Sequence, residues 1–276
     1  MPESHRRSQG PPEHQVRPPA VAGRFYPADP GVLTSLVDRL LESVGAAVEA
    51  PPATAYVVPH AALRYSGPTA AHAYARLRRS APDTVVILGP AHYVPVNGCA
   101  VPAAAAWRTP LGDVEVDADL VRALVRDGHV NVDDHPFAPE HSLEVQLPFL
   151  QRCRPDGLRV LPVLVGQSTV DDLVVTLSAV AETAGPDAML LCSTDLSHYE
   201  PEPAADAQDA RTTQAVLDLA AERIGPRDAC GVFALRGLVG WARHRGLQAR
   251  LLDRCTSAKT GGDPGRVVGY AAFAFR

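Results

Sequence analysis

Three short apolar runs in this 276-residue sequence each lead into residues able to bind a metal ion or move a proton. TAYVV at 54 to 58 runs into Pro59 and His60, TVVIL at 84 to 88 into Gly89, Pro90 and His92, and AMLLC at 188 to 192 into Ser193, Asp195 and His198. Taken singly, a histidine after a strand is as readily a cap or a partly buried polar residue as a functional group. Three such loops together point to one site, because ligands of open α/β sheets bind outside the carboxyl ends of the strands. Neutral imidazoles from separate strand ends can meet around a divalent cation, since nitrogen donors suit iron, copper and zinc. Asp195 and His198, three residues apart, could coordinate, orient a ligand histidine from outside the coordination sphere, or transfer protons; the last two roles suit the pair best.

Two further segments carry chemistry with a plain alternative beside it. Cys230 follows Gly225, Pro226, Arg227 and Asp228 at the start of an apolar helix, where the helix dipole and Arg227 would favour a thiolate. It also reads as a small buried hydrophobe, as do Cys99, Cys153, Cys192 and Cys255. In the stretch Glu140, His141, Ser142, Leu143, Glu144 the carboxylates fit a solvated first helical turn, and His141 fits an acid/base residue beside a crevice. H-E-x-x-H, G-x-S-x-G, the P-loop pattern and a G-x-G-x-x-G after a strand are all absent, which disfavours zincin proteases, α/β-hydrolases, P-loop NTPases and dinucleotide-binding dehydrogenases.

The elements that must position these residues alternate. Short β-branched runs (54–58, 84–88, 159–165, 188–192, with shorter strands at 98–102, 113–116, 248–253 and 266–274) are separated by helical patterns at 30–47, 67–79, 117–127, 140–153, 168–183, 204–223 and 229–244. Asp29 and Pro30 open the first helix, and Ser168-x-x-Asp171 is the expected cap of the fifth. The expectation is one α/β domain over 20–276, a three-layer α/β/α sandwich with a mainly parallel or mixed sheet. Residues 1–19, rich in Pro, Gln, His and Arg, read as a loose tail. A net charge of −5 offers no basic field for nucleic acid. Neither an apolar signal segment nor a run of about 18 apolar residues occurs, and five scattered cysteines without a C-x-x-C pair fit a reducing compartment, so a cytoplasmic protein with no membrane association is expected.

The ordered blocks AVAGRFYP (20 to 27), VVPHAALRYSG (57 to 67), VVILGPAHYVPV (85 to 96), EHSLEVQLPFL (140 to 150), LPVLVG (161 to 166), STDLSHY (193 to 199) and DACG (228 to 231) resemble the Memo family, whose prokaryotic members are often called AmmeMemoRadiSam system protein B. The resemblance runs from about residue 16 to 276. It implies a fold similar to that of LigB-type class III extradiol dioxygenases and one redox metal ion per chain, iron or copper. His60, His92 and Cys230 match the family's metal ligands; Asp195 and His198, with His141 and Glu144, match pocket blocks, which makes His141, Asp195 and His198 the expected catalytic groups. Ala62 and Leu63 depart from the more common P-H-A-G-Y, and Tyr93 stands where some relatives have a second histidine. The favoured expectation is a redox-metal protein, possible metal-dependent oxidoreductase chemistry included. The alternatives are an extradiol-type dioxygenase acting on a catechol and O2, and a metal-free module that binds a peptide or partner protein.

Overall fold

The computed structural model describes residues 15–45, 53–80 and 82–276. Among them twelve strands form one mixed sheet: β1 (Val16–Arg17), β2 (Ala55–Val58), β3 (Thr84–Gly89), β4 (Cys99–Val101), β5 (Ala106–Thr109), β6 (Gly112–Val116), β7 (Asn131–Val132), β8 (Arg159–Val165), β9 (Met189–Ser193), β10 (His198–Glu200), β11 (Ala249–Thr256) and β12 (Val267–Phe275). The spine β6-β8-β3-β9-β2 is parallel. β12 closes it antiparallel to β2 and carries β10 and β11, also antiparallel. The central strands are apolar throughout because both faces are covered, as parallel sheets require. Alternation then divides their side chains: Tyr56, Val58, Val85, Ile87 and Leu191 enter one core, while Ala55, Val57, Val86, Leu88 and Leu190 enter the other.

Helices α1 (Pro30–Ser43), α2 (Leu63–Ser80) and α4 (Leu147–Cys153) cover the first face. Helices α3 (Ala118–Arg126), α5 (Val170–Ala184) and α7 (Val232–His244) cover the second, and α6 (Glu202–Leu217) packs beside β11 and β12. This is the expected α/β sandwich. β9 inserts between β2 and β3, which are consecutive in order of these central strands, so the loops after β2, β3 and β9 open onto one crevice at a topological switch point. Asp29 caps α1 by accepting from the Val32 N–H, as expected. Among the described residues no helix is long and apolar enough to cross a membrane.

Three expectations are corrected. The tail was placed at 1–19, of which 1–14 lie outside the described residues; Val16 and Arg17 form β1 beside Ala106 and Trp107, and Arg17 is buried. Its guanidinium stacks on Trp107 and pairs with Glu144, partners more than 80 residues away that no local composition reveals. The helix expected over 140–153 is confined to a 3-10 turn at Glu144–Gln146 and to α4. The Glu140 carboxylate accepts the N–H groups of His141 and Ser142, a local bond that competes with helix, and Pro148 takes a first-turn position where its missing N–H costs nothing. The cap of α5 is Thr169, whose hydroxyl accepts from the Asp172 N–H, one residue beyond the expected Ser168 pair.

Candidate metal centre

His60, His92 and Cys230 come from the loops after β2 and β3 and from the residue preceding the N-cap of α7, and their ligand atoms all lie within 4.8 Å of one another. The His60 Nε2 is 3.3 Å from the Cys230 sulfur, and the His60 and His92 rings meet edge to face with centroids 5.2 Å apart. Two glycines make room for this convergence. A Cβ on Gly89 would stand 2.6 Å from Leu143, so its absence lets the 140–146 segment close over the end of β3; a Cβ on Gly231 would stand 2.9 Å from Thr194, whose hydroxyl accepts the Gly231 N–H.

Hydrogen bonding fixes which nitrogen of each ring is free. The Ser193 hydroxyl donates its one proton to the Ser142 carbonyl at 2.6 Å, and Gln146 Nε2 donates to Ser193 Oγ while Gln146 Oε1 accepts from Tyr74. The 2.9 Å contact between His60 Nδ1 and Ser193 Oγ is therefore an N–H donated by the ring, and Nε2 keeps its lone pair. Glu140 does the same for His92: its Oε1 accepts from His92 Nδ1 at 2.9 Å, and its Oε2 accepts the His92 backbone N–H at 2.6 Å. Burial would raise the Glu140 pKa, but the His92 ring bond and charge and the N–H groups of His92 and Ser142 hold it at about 2, so it is an acceptor only. On both histidines Nδ1 is thus committed to a hydrogen bond, and Nε2 is the nitrogen left to face a metal.

The other expected residues face the same cavity of about 710 Å³. Asp195 Oδ1 accepts the backbone N–H groups of His60 (2.7 Å) and Ala61, while its own N–H points at the Cys230 sulfur at 3.3 Å. Burial raises the Asp195 pKa, opposed by the nearby His198. His198 donates Nδ1–H to the Leu196 carbonyl, leaving Nε2 open. His141 stacks on His92 at 4.7 Å with Phe25 against its edge, and burial, despite Glu140 beside it, drops its pKa to about 4. His60 is pushed well below its ordinary value by burial and by the three neighbouring imidazoles, so it too is neutral near pH 7.

Of the two readings of Cys230, a thiolate favoured by the helix dipole and Arg227 or a small buried residue, burial favours the protonated thiol in the metal-free chain. Burial, with the Asp195 charge beside it, pushes the thiol up to about 12, and the bonds from Thr194, Asp195 and Gly231 only partly offset this. The carboxylates of the 140–146 segment are misread as solvated: Glu140 and Glu144 are both buried. The apolar Leu143, Val145 and Leu147 interleaved with them were the available signal that this stretch lies inside. Sequence reasoning left Gln146 unmentioned and gave Glu140 no role on His92. Cys99, Cys153, Cys192 and Cys255 lie outside the cluster, and all five cysteines are free thiols.

His92, Glu140 and His141 form a second grouping within 4.8 Å. Its carboxylate already accepts four N–H donors, from the ring and backbone of His92 and from the backbones of His141 and Ser142, so its geometry is that of a residue holding His92 in place.

The family model for Memo-like protein matches residues 17–274. The chain is 38% identical to a MEMO1 family protein of Methanopyrus kandleri, over 94% of this chain and 99% of that one. It is 36% identical to a MEMO1 family protein of Ignicoccus hospitalis (94% and 98%) and 35% identical to one of Aeropyrum pernix (94% and 99%). With a match across almost the whole described chain and relatives covered from end to end, the protein belongs to the Memo family.

Proposed function

We propose that this chain is a redox-metal protein that binds one iron or copper ion through His60 Nε2, His92 Nε2 and the Cys230 sulfur. The observation that carries the reading is that three donors from distant parts of the chain converge within 4.8 Å while both histidines have Nδ1 committed to a buried acceptor. Two imidazoles and one sulfur form a mixed borderline and soft set that suits these metals. When bound, the ion supplies one-electron chemistry and Lewis acidity at the floor of the cavity. The chain's own residues do the rest. Asp195 fixes the main chain of His60, Glu140 fixes His92, and Ser193 with Gln146 fixes the His60 ring. His141, held neutral by burial, and His198, with Nε2 open, stand on the cavity wall as candidates to take up a proton. Because the thiol is protonated in the metal-free protein, loading releases a proton from Cys230. The five free thiols suit a reducing compartment, in keeping with a cytoplasmic protein.

The test is anaerobic titration of the purified chain with Fe(II) or Cu(I), following metal stoichiometry and proton release together. About one ion per chain with proton release that Cys230→Ser abolishes is expected. Saturation without any dependence on Cys230 would replace the ligand set. A second reading, a dioxygenase with two histidines and a carboxylate acting on a catechol, has His92, Glu140 and His141 as the one such grouping within 4.8 Å among the described residues, at the cost of the bonds by which Glu140 holds His92. Ring cleavage by the Fe(II)-loaded protein, retained in Cys230→Ser and lost in Glu140→Gln, would establish that reading in place of the first.

A further inference from the structure

The chain as a whole is acidic, with a net charge of −5, yet the mouth of the cavity above the histidine cluster carries three arginines, Arg24, Arg64 and Arg266. All three are exposed, and among the described residues none of them has a carboxylate within ion-pair distance, whereas Arg108, Arg122, Arg126, Arg159, Arg223 and Arg243, exposed elsewhere on the protein, each pair with an Asp or Glu. Two are held by aromatic rings: the Arg64 guanidinium lies 4.4 Å from the centre of the Tyr65 ring, and that of Arg266 lies 4.5 Å from the centre of Tyr199. Stacking leaves the edge of each planar fork, with its N–H donors, free to meet an anion. The carboxylate of Asp263, on the same rim, is turned into its own loop, accepting the Gly265 N–H. Unpaired cations gathered on an acidic protein repel one another unless something negative joins them, and a low-dielectric cleft of one sign focuses its field on an incoming ion.

From this we infer that the cavity takes an organic carboxylate with an aromatic body, its carboxylate held by the arginines of the mouth and its ring between the tyrosines, with the far end reaching toward His141 and His198. The inference rests on the reading of the cavity floor as a metal centre and adds the class of molecule brought to it. The space of about 710 Å³ is far more than an inorganic anion fills and lies in the range of small-molecule sites. A planar carboxylate matches the guanidinium fork bidentately, and the tyrosines offer faces for a ring.

Calorimetric titration of the purified protein with benzoate, benzamide and inorganic phosphate tests this, with metal content measured on the same samples. Benzoate is expected to bind saturably, to weaken as salt rises, and to exceed its neutral isostere benzamide by at least about tenfold, the worth of one charge-assisted bond pair. Arg24→Gln, Arg64→Gln and Arg266→Gln should each weaken benzoate, and the triple variant should lose about tenfold or more, with melting temperature and metal content unchanged because these exposed side chains touch none of the three ligands. Equal affinity for benzamide, no saturable benzoate binding, or an unaffected triple variant would overturn the proposal, and phosphate binding more tightly than benzoate would overturn the choice of a carboxylate. Metal missing from every sample while benzoate still depends on the arginines would instead count against the metal centre alone.

Discussion

Glu140 and Glu144 stand four residues apart on the same buried segment and both gather N–H donors, yet they serve different regions of the molecule. Glu140 faces the crevice and holds the ring and backbone of His92. Glu144 faces away from it and fastens the N-terminal strap: it pairs with Arg17 at 2.7 Å, accepts the N–H groups of Ala20 and Val21, and accepts the Tyr26 hydroxyl at 2.5 Å. The same chemical device orients a candidate ligand in one place and closes the fold in the other. What separates them is the partner: a histidine whose second nitrogen can carry a lone pair, or a guanidinium whose nitrogens are donors only.

The largest effect expected from breaking this comparison is on the strap. Glu144→Gln leaves the Arg17 charge buried without its counter-ion, which should cost about 3 kcal/mol and lower Tm by roughly 5 to 10 °C in thermal denaturation. Metal affinity should stay near that of the parent. The opposite pattern is expected at Glu140. Glu140→Gln keeps the shape but loses the charge that orients His92, and metal affinity measured by competition with a chelator should fall about 10 to 100-fold. If both variants lose metal alike, or both lose only stability, the division between the two carboxylates fails.

How much of this was legible follows the range of the interactions involved. The central strands and the loops carrying His60, His92, Asp195 and His198 follow from local apolar runs, since β-branched stretches bounded by Gly and Pro are a short-range signal. β10 was read as loop because three residues, His198–Glu200, become a strand only through pairing with β12. Arg17 looked like tail because its environment is built by residues 107, 137, 140 and 144. Cys230 read both as a helix-start thiolate and as a small buried hydrophobe, because its position at a helix start is visible in sequence whereas the burial that keeps the thiol protonated is not.

An effect confined to acid pH, and absent near neutrality, concerns His141. His141 has a pKa of about 4 when folded against an ordinary value of 6.5, so protons bind the unfolded chain first as pH falls. Above 6.5 the residue is neutral in both states and costs nothing; between 6.5 and about 4 the folded state loses stability, reaching roughly 3 kcal/mol at the acid end. His141→Gln should flatten the dependence of melting temperature on pH across that window in metal-free protein, leaving the plateau near neutral pH in place. An unchanged slope would mean that His141 is not the group that resists protonation.

Truncation sharpens the strap's boundary. Beginning the chain at Gln15, whose carbonyl accepts the Ala105 N–H, should leave Tm and metal content unaltered, whereas beginning it at Pro18 removes β1 and the Arg17 partner of Glu144 and should approach the loss seen in Glu144→Gln. Equal losses from both truncations would place the boundary further toward the start.

The central claim is that His60, His92 and Cys230 form one metal centre. Elemental analysis of the purified parent chain beside His60→Ala, His92→Ala, Cys230→Ser and Cys153→Ser tests it most directly, with circular dichroism confirming that each is folded. Cys153 is buried against α2, its sulfur 3.5 Å from the Tyr74 carbonyl, and serves as the control. About one iron or copper per chain in the parent and in Cys153→Ser, with each of the other three depleted, is the predicted result; equal metal content in all five folded proteins, or none in any, would contradict it.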